Sequence, residues 1–550
     1  MKPLSSYAVF LTLIFIQATR AQKIVYSQPE KEDFNRFKFD VITKHDGKIL
    51  VFKALYYGNP FHGQPSASPR QSYSNPDPLR DNDRSIPGPD NSIEGGSVRI
   101  YDSSMHIITE KTLSFPRAIS GVHFLAYDDF FYIFYQYLVR HTIYCMAAKV
   151  GIDGDMIGSP IKMDSTTILD IHYESQIYSV INSQDKQNIL LFSINTHFEP
   201  TRLKSILFDR DLHPRHTTTL VLAVEASQYL SEFQVDNEGN FIFVGMNGKA
   251  KPHDEMQAAL FVQPNHSNRL NSTYFAPASI SVDNVRLLVD NRNKRYILSS
   301  FYSQRPEADI KGLFCLVRDA EGKTEDKKSL TVLSDSMLRA VKKDGISISL
   351  NDYYIQDLHL RTDGSFTIES QQLNVNPDHE FVSRWNYLPE LREKVATEFA
   401  YFDPYETDHY YPWKLWHWLG PSYFNRFTYS SRGALITSFD SSGIVEWINV
   451  LNTTQLNSID VSLGYKTIIA NGLLYFLFNS SIRRNTFLSA RSIDAAGTLD
   501  TDSRFREDLA LRDQDNDYLY FPRLAKTVDA GEVILPCRKG GFIYLAKISF

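Results

Sequence analysis

The residues best suited to chemistry are concentrated between positions 378 and 430. Four of the five tryptophans fall in this segment, and 16 of its 53 residues are aromatic, against 13% for the whole chain. Carboxylate and imidazole side chains alternate with the rings, so ring faces and hydrogen-bonding groups occur at short range. The candidate binding residues are Trp385, Asp408, His409, Tyr410, Tyr411, Trp413, Trp416 and Trp418.

This aromatic segment permits two interpretations. Flat ring faces can stack on sugar rings while neighbouring carboxylates and amides bind sugar hydroxyls, and the segment would then be a glycan-binding surface. Alternatively, the segment buries its own rings as a lid over the rest of the protein, because Trp and Tyr bury large areas. The sequence leaves both interpretations open.

Two acidic stretches match metal-binding loops only in part. Asp513–Asp517 begins like a calcium loop, but Tyr518 stands where glycine is required and Leu524 where a bidentate glutamate is required. A solvated acidic loop is the alternative there. Asp209–His216 holds two aspartates and two histidines in a connection without fixed spacing. We therefore predict no metal and no cofactor, with calcium at Asp513–Asp517 as the alternative.

The remainder of the chain has an all-β pattern, which one hairpin illustrates. Ala434–Phe439 is a short apolar strand, Asp440–Gly443 is a turn, and Ile444–Val450 returns. Similar hairpins recur along the chain, and Tyr and Phe together supply 67 residues, a composition typical of strands. Motifs of common nucleophilic, metalloprotease and nucleotide sites are absent from the sequence.

The recurring unit contains four strands, A to D. A tight turn, often Asp-Gly or Asn-Gly, joins A to B, and an Asp-x-x-Gly turn joins C to D. Four-stranded antiparallel units at a period of about 40–50 residues predict a β-propeller. We predict eight blades, with seven as the alternative if the third or fourth unit is misread, and with two β-sandwiches as the rival architecture. The third unit is predicted as Ile168–Tyr173, Gln176–Ile181, Ile189–Ile194 and Arg202–Phe208.

The eighth unit lacks its strand D. The chain stops after Phe542–Ser549, while Lys23–Ser27 supplies a spare strand before the first unit. We therefore predict a single domain, residues 22–550, closed into a ring by the N-terminal strand.

The long insertions are predicted to lie on one rim of this ring. Strands alternate in direction, so the A–B and C–D turns share one rim and the B–C and D–A connections share the other. The turns of the first rim are short, and the second rim carries the polar insertion 58–95 and the aromatic insertion 371–432. Loops on a rigid scaffold commonly carry function, so we expect the site on the second rim.

The first 21 residues are predicted to be a signal peptide. Lys2 gives the positive start, Ala8–Ile16 the apolar core and Thr19–Ala21 the small-residue cleavage site. The signal carries two positive charges and no acid, so the mature net charge is −8. An acidic chain without basic clusters is a poor nucleic-acid binder. No transmembrane segment is predicted, and we expect an exported protein of the periplasm or the cell surface.

Cysteine usage and glycosylation motifs add two smaller expectations. The three cysteines, Cys145, Cys315 and Cys537, lie in apolar strands and are expected to be buried thiols, with one disulfide as the alternative. Asn-x-Ser/Thr sequons, which matter only in a host that glycosylates exported proteins, occur at Asn265, Asn271, Asn452 and Asn479.

Two family resemblances rest on these motifs. Asp440-x-x-Gly443-x-x-x-Trp447 resembles a blade of the quinoprotein-type propellers, although the Trp occurs once here and the adjacent cysteine pair of quinone-dependent dehydrogenases is absent. The resemblance implies the fold and not that activity. As a whole, residues 22–550 resemble exported propeller proteins common in Bacteroidetes, in the cleavage between Ala21 and Gln22, the repeated Asp-x-x-Gly hairpins and the ending Leu535–Cys537 with Phe542–Lys547. This resemblance implies no particular chemistry.

Two functions of different classes follow from these patterns. The first is a non-catalytic binding module or scaffold for a glycan or an envelope protein. The second is an enzyme acting on a polysaccharide, with carboxylates from different blades converging at the mouth of the ring. The sequence fixes neither the ligand nor the oligomeric state.

Overall fold

The chain is almost entirely β-strand wherever it is described. The computed structural model describes residues 23–30, 37–56, 93–167, 177–195, 202–222, 228–247, 258–305, 308–333, 350–372, 374–377, 427–457, 464–482, 485–500 and 518–550. Within these ranges two 3-10 helices occur, at Leu350–Asp352 and Pro522–Leu524. A helix long and apolar enough to cross a membrane is not found among these residues.

The first four blades are four-stranded antiparallel sheets. Blade 1 comprises β2 (Phe37–His45), β3 (Lys48–Tyr56), β4 (Ile93–Tyr101) and β5 (Ile107–Leu113), and blade 2 comprises β6 (Ser120–Ala126), β7 (Phe130–Val139), β8 (Thr142–Gly151) and β9 (Ile161–Thr167). Blade 3 comprises β10 (Tyr178–Asn182), β11 (Asn188–Asn195), β12 (Arg202–Asp209) and β13 (Pro214–Val221), and blade 4 comprises β14 (Gln228–Val235), β15 (Phe241–Asn247), β16 (Ala258–Gln263) and β17 (Asn271–Tyr274).

The other four blades repeat this order with two additions. Blade 5 comprises β18 (Ser281–Asp290), β19 (Arg295–Ser303), β20 (Gly312–Asp319) and β21 (Lys327–Val332), and blade 6 comprises β22 (Tyr353–Leu360), β23 (Phe366–Gln372), β25 (Phe427–Phe439) and β26 (Val445–Asn457), with the extra strand β24 (Asn374–Pro377). Blade 7 comprises β27 (Tyr465–Ala470), β28 (Leu473–Ile482), β29 (Asn485–Ile493) and β30 (Leu499–Asp500), and blade 8 comprises β32 (Lys526–Asp529), β33 (Glu532–Lys539), β34 (Phe542–Ser549) and β1 (Lys23–Tyr26), with the extra strand β31 (Leu519–Tyr520).

The eight sheets form a closed ring, a β-propeller. Strand A of one blade contacts strand A of the next from β2 through β6, β10, β14 and β18 to β22, and β32 contacts β2, so these strands surround the central axis. A cluster of buried hydrophobic side chains lies between every two neighbouring blades. The cluster that closes the ring joins Ile534 and Leu545 of blade 8 to Val41 and Val51 of blade 1. The predicted eight-bladed fold is confirmed.

The N-terminal strand completes blade 8, as the sequence predicts. β1 pairs antiparallel with β34, with Lys23 opposite Ser549 and Tyr26 opposite Ala546. Just beyond β1, the Glu30 carboxylate contacts Lys53 at 2.9 Å and also pairs with Arg99. These two cations lie on strands of blade 1, so the same N-terminal segment ties blade 8 to blade 1 by both backbone pairing and buried charge.

The strand assignment predicted for the third unit is wrong by one strand. Gln176–Ile181 coincides with strand A, Ile189–Ile194 with strand B and Arg202–Phe208 with strand C, while strand D is β13, which the prediction omits. Ile168–Tyr173 lies outside the described residues. The turn before β13 has Leu212 at φ 64° where other units place glycine, so it lacks the sequence signal of the motif. The blade count is unaffected.

The three cysteines are buried free thiols, as expected. Cys145, Cys315 and Cys537 lie on strands of three different blades. Burial raises the pKa of Cys315 to about 12, and it raises the pKa of the other two thiols as well. They behave as small hydrophobic side chains of the core.

Candidate functional site

The candidate binding residues named from the sequence fall in 378–426, outside the described residues, and their arrangement stays a prediction. They are Trp385, Asp408, His409, Tyr410, Tyr411, Trp413, Trp416 and Trp418. Asp513–Asp517 and most of the polar insertion 58–95 also lie outside the described residues. The strands from which these segments depart are described, and they fix the side of the ring involved.

The aromatic insertion begins and ends on a three-stranded stalk of blade 6. β24 pairs with the first part of β25, where Val375 is opposite Tyr429. The same Tyr429 is opposite Asn457 at the end of β26, so β25 has a partner on both sides. Gln371 Nε2 donates to Ser431 Oγ at 3.0 Å where the stalk meets the blade. Blade 6 therefore extends past its neighbours toward the insertion.

The two rims of the ring carry different amounts of chain. On the rim formed by A–B and C–D turns, which we call the plain rim, the A–B turns contain two to five residues. On the opposite, decorated rim, 36 residues separate β3 from β4 and 54 separate β23 from β25. This asymmetry follows the sequence prediction.

Neighbouring blades are clasped along the plain rim. Arg295, the first residue of β19, donates to the carbonyls of Gly364 and Ser441 in blade 6, at 2.5 and 2.7 Å. Its Nε donates to the buried Asp290 at 2.8 Å. Comparable bonds link other pairs of blades along this rim, including Lys186–Ala126, Asn188–Asn237, Lys294–Glu238, Arg361–Ala495 and Lys44–Asp529. These polar groups therefore have a structural role, because they hold neighbouring blades together.

The aspartates of the Asp-x-x-Gly turns are also used by the fold. Asp440 Oδ1 accepts the backbone N–H groups of Ser442 and Ile444, at 2.8 and 2.9 Å. Asp209, in the turn where Leu212 takes the place of the glycine, does the same for Asp211 and His213, at 3.0 and 2.9 Å. Side-chain oxygens that accept backbone N–H groups stabilise turns. In the described part of the chain, no group of three or more His, Cys, Asp or Glu residues is arranged to hold a metal ion.

Strand A departs from regular pairing in most blades. The A–B register shifts in blades 1, 2, 4, 5, 6 and 8, for example between Ser231 and Gln234, between Asp283 and Arg286, and between Ile355 and Asp357. A β-bulge increases local twist and changes the direction of side chains. In blades 4 to 6 the bulges bring charged residues together on the inner strands.

We call the group of Glu232, Arg286, Asp357, His359 and Glu369 the inner-strand cluster. Its first part joins three blades. Glu232 of β14 accepts a bond from Arg286 Nη1 of β18 at 3.0 Å and one from the Leu287 N–H at 2.9 Å. Arg286 also donates to the carbonyl of Gln356 on β22. Burial raises the pKa of Glu232; Arg286 lowers it, and the charge of Asp357 raises it again. A carboxylate, a guanidinium and a second carboxylate thus interact across blades 4, 5 and 6.

The second part of the cluster lies between blades 6 and 7. His359 Nε2 is 2.8 Å from Glu369 Oε1, and Thr467 of β27 donates to Glu369 Oε2 at 2.6 Å. Glu369 is 1% exposed. Burial alone lowers the pKa of His359, but the Glu369 carboxylate outweighs it and raises the pKa to about 9. His359 is therefore a fixed cation at neutral pH.

A second histidine on an inner strand, His123, is neutral where His359 is charged. Burial, with a smaller contribution from Lys526, lowers the pKa of His123 to about 3, so its ring is neutral. Asp357 and Lys526 are exposed on the strands A of blades 6 and 8. The strands A therefore expose charges of both signs to solvent.

Sequence reasoning missed this inner-strand cluster, which consists of Glu232, Arg286, Asp357, His359 and Glu369. The available signal was charge inside strands that otherwise read as core, such as Glu369 within Phe366–Gln372, which is buried throughout. Pairing these charges requires knowing which blades are neighbours and where the bulges fall. The alternation of apolar and polar residues in the sequence carries neither fact.

Comparisons with known proteins give no family assignment. No protein-family model and no curated protein matches the chain. Among solved structures it is similar to a Pyrococcus horikoshii acylaminoacyl peptidase at 7% identity and TM-score 0.35, covering 93% of this chain and 60% of the peptidase. It is also similar to the polysaccharide lyase Uly1, at 9% identity and TM-score 0.36, covering 79% of this chain and 91% of the lyase. A third similar structure is an ulvan lyase of family PL25, at 8% identity and TM-score 0.37, covering 77% of this chain and 90% of that lyase.

These similarities are too low to bear on activity. The chain spans 60% of the length of the peptidase it matches. The resemblance to exported propellers of Bacteroidetes stays a prediction, whereas the propeller architecture follows from the ring of eight blades described above.

Proposed function

We propose that the protein is an exported, non-catalytic β-propeller that binds a glycan or an envelope protein through its decorated rim. The observation that carries the proposal is the difference between the rims. Short, clasped turns close one rim, and on the other rim the three-stranded stalk of blade 6 ends where the aromatic insertion begins. A rigid ring with an aromatic-rich insertion on one rim suits the stacking of aromatic rings on a saccharide.

The proposal includes the site and the compartment. Trp385, Asp408, His409, Tyr410, Tyr411, Trp413, Trp416 and Trp418 form the binding surface. Residues 1–21 are removed as a signal peptide, and the protein acts in the periplasm or at the cell surface. Of the two ligand classes, we place the glycan first. The aromatic rings of the segment can stack on sugar rings while its carboxylates bind the sugar hydroxyls.

Affinity electrophoresis tests this function. Purified protein is run in native gels that each contain one polysaccharide of a panel, beside Trp413→Ala/Trp416→Ala and the control Trp447→Phe. Trp447 packs on the plain rim, where its Nε1 donates to the Ala495 carbonyl at 3.0 Å. We expect at least one polysaccharide to retard the wild type and the control but not the double variant.

Two outcomes would count against the glycan. Equal retardation of the double variant would place binding elsewhere on the ring. If no polysaccharide retards the wild type, the glycan is rejected, and capture of one envelope protein by the wild type but not by the double variant would then decide for the protein ligand.

A second candidate function, an enzyme acting on a polysaccharide, is favoured by the inner-strand cluster. Glu232 is buried and Asp357 is exposed, and they come from blades 4 and 6. Burial raises the pKa of Glu232, and a buried acid near a second, exposed carboxyl group is an arrangement from which acid–base pairs are built. In this reading Asp357 acts as the base, and Glu232 or the His359 cation supplies the proton.

Product formation on the same panel tests the enzyme. Wild type, Asp357→Asn and the plain-rim control Arg292→Ala are incubated with each polysaccharide, and new reducing ends and unsaturated products are measured. The enzyme reading requires product from the wild type and the control and at least a ~100-fold lower rate in Asp357→Asn. Retardation without product supports the binding module.

A further inference from the structure

The glycosylation sequons lie in very different environments. Asn271 is the first residue of β17, the outermost strand of blade 4, where all four residues are exposed. Thr273 completes its sequon on the same strand. The neighbouring Tyr274 is 61% exposed, so this edge of the ring has room for a large substituent. Asn271 Nδ2, the atom that carries an N-glycan, is therefore accessible in the folded protein.

Asn479 occupies the opposite environment. It lies in β28 of blade 7 and is 7% exposed. Its Nδ2 donates to the Tyr520 backbone carbonyl of blade 8 at 2.8 Å, and the backbone carbonyl of Asn479 accepts a bond from Gln455 Nε2 at 3.0 Å. The nitrogen that would carry a glycan is thus a structural donor between two blades. An attached sugar would have to occupy the packed interface.

Asn265 is intermediate between these extremes. Its Nδ2 donates to the Glu238 carbonyl, and its backbone N–H donates to Asn240 Oδ1 at 3.2 Å. The amide therefore takes part in the turn contacts of blade 4. The side chain of Asn452 lies outside the described part of the structure.

We propose that Asn271 is the N-glycan acceptor when the chain is exported through a pathway that glycosylates sequons, and that the folded ring excludes a glycan from Asn479. The donor is a lipid-linked oligosaccharide diphosphate. Transfer forms a bond between Asn271 Nδ2 and the anomeric carbon of the sugar and breaks the bond from that carbon to the diphosphate oxygen. The diphosphate leaves with the electron pair, and the amide nitrogen gives up one proton.

Timing makes the distinction between the two sites consequential. Oligosaccharide is transferred while the chain is still unfolded, when Asn271 and Asn479 are equally accessible. A glycan on Asn271 remains at the outer edge after folding, and it covers an edge strand that is otherwise open to pairing with another chain. A glycan on Asn479 replaces one amide hydrogen of a buried side chain with a sugar for which the packed interface has no room, and it prevents blades 7 and 8 from packing. Occupancy at Asn479 and folding are therefore mutually exclusive.

Secretion from cultured insect cells tests the proposal. Wild type, Thr273→Ala and Ser481→Ala are expressed, the latter two each removing one sequon while keeping its asparagine. Site occupancy is measured by mass spectrometry of glycopeptides, separately for the secreted monomer and the retained protein. We expect Asn271 to be occupied and Asn479 unoccupied in the secreted monomer, with Asn479 occupancy enriched in the retained protein.

The two variants act as controls for each other. Thr273→Ala should lose one glycan from the secreted monomer without a change in yield, and Ser481→Ala should raise the secreted yield ~2-fold or more. Protein made without glycosylation provides the folding control, because Ser481→Ala should then unfold at the same denaturant concentration as the wild type. A folded secreted monomer with a glycan on Asn479, or without one on Asn271, would overturn the proposal.

Discussion

The two rims of the ring are built from the same eight blades, yet polar residues serve different ends on them. On the plain rim, Arg295, Arg361 and Asp440 bond to backbone groups of their own or the next blade. On the decorated rim, strand ends lead into connections that range from the two-residue turn after Val139 to the 54 residues after Gln372. The polar side chains of the plain rim make the contacts that hold the ring closed. We therefore assign binding to the decorated rim.

The largest predicted effect concerns the plain rim. Arg295→Ala removes the cation beside Asp290, which is fully buried, and also removes two bonds to blade 6. An uncompensated buried charge costs about 3–5 kcal/mol, so the free energy of unfolding in urea should fall by that amount.

Arg292→Ala is the matched control for that change. Arg292 lies in the A–B turn that directly precedes Arg295 and also donates to a blade 6 carbonyl, that of Thr362, but it is exposed. Its removal should change stability by less than about 0.5 kcal/mol. Equal effects of the two substitutions would show that the clasp through Arg295 does not hold blades 5 and 6 together.

The second prediction asks whether the inner-strand cluster contributes to the fold. His359 has a pKa of about 9 when folded and about 6.5 when unfolded, so the folded state binds more protons between these values. Its contribution, about 2–3 kcal/mol, is complete below pH 6.5 and is lost as the pH rises through 9. Urea unfolding from pH 6 to 9.5 should show this decline in the wild type and not in His359→Gln.

His123 provides an internal contrast for the same experiment. Its folded pKa of about 3 is below the unfolded value, so its contribution is present above pH 6.5 and is lost as the pH falls. The His359 variant should therefore leave the acid side of the stability profile unchanged. A flat wild-type profile between pH 6.5 and 9 would contradict the assigned charge of His359.

The third prediction concerns the tryptophan contact between blades 6 and 7. Gly497 has φ 84°, and a Cβ added there would lie 2.7 Å from the Trp447 indole. Gly322 is the equivalent residue of blade 5, with φ 67° and open space around it. Both substitutions place alanine in a left-handed backbone conformation, which costs about 1–2 kcal/mol. Gly497→Ala should lower the free energy of unfolding in urea by about 1–3 kcal/mol more, because its Cβ clashes with the indole. Equal losses would mean that the indole moves aside freely.

The smallest predicted effect is on the decorated rim and separates a binding surface from a lid. If Trp413 and Trp416 form a binding surface, Trp413→Ala/Trp416→Ala changes stability by less than about 0.5 kcal/mol. If they are buried in a lid, each truncation costs about 3–5 kcal/mol. Urea unfolding without ligand distinguishes these values directly.

The sequence predicts the architecture better than it predicts the inner face. Hairpin turns and the missing strand D suffice for eight blades and for closure by the N-terminal strand, because both signals are local. The prediction for blade 3 fails because Leu212 and Lys186 adopt positive φ in turns where a glycine would mark the motif. Glu232 and Arg286 are 54 residues apart and meet only because blades 4 and 5 are neighbours. Such a pair cannot be recognised from spacing.

The central claim is that ligand binding belongs to the decorated rim while the plain rim is structural. Isothermal titration calorimetry with the polysaccharide that retards the wild type tests it most directly, using Trp413→Ala/Trp416→Ala and Trp447→Phe. We predict an unchanged dissociation constant for Trp447→Phe and at least a ~10-fold weaker one for the double variant. Wild-type affinity in the double variant, or its loss in Trp447→Phe, would contradict the account.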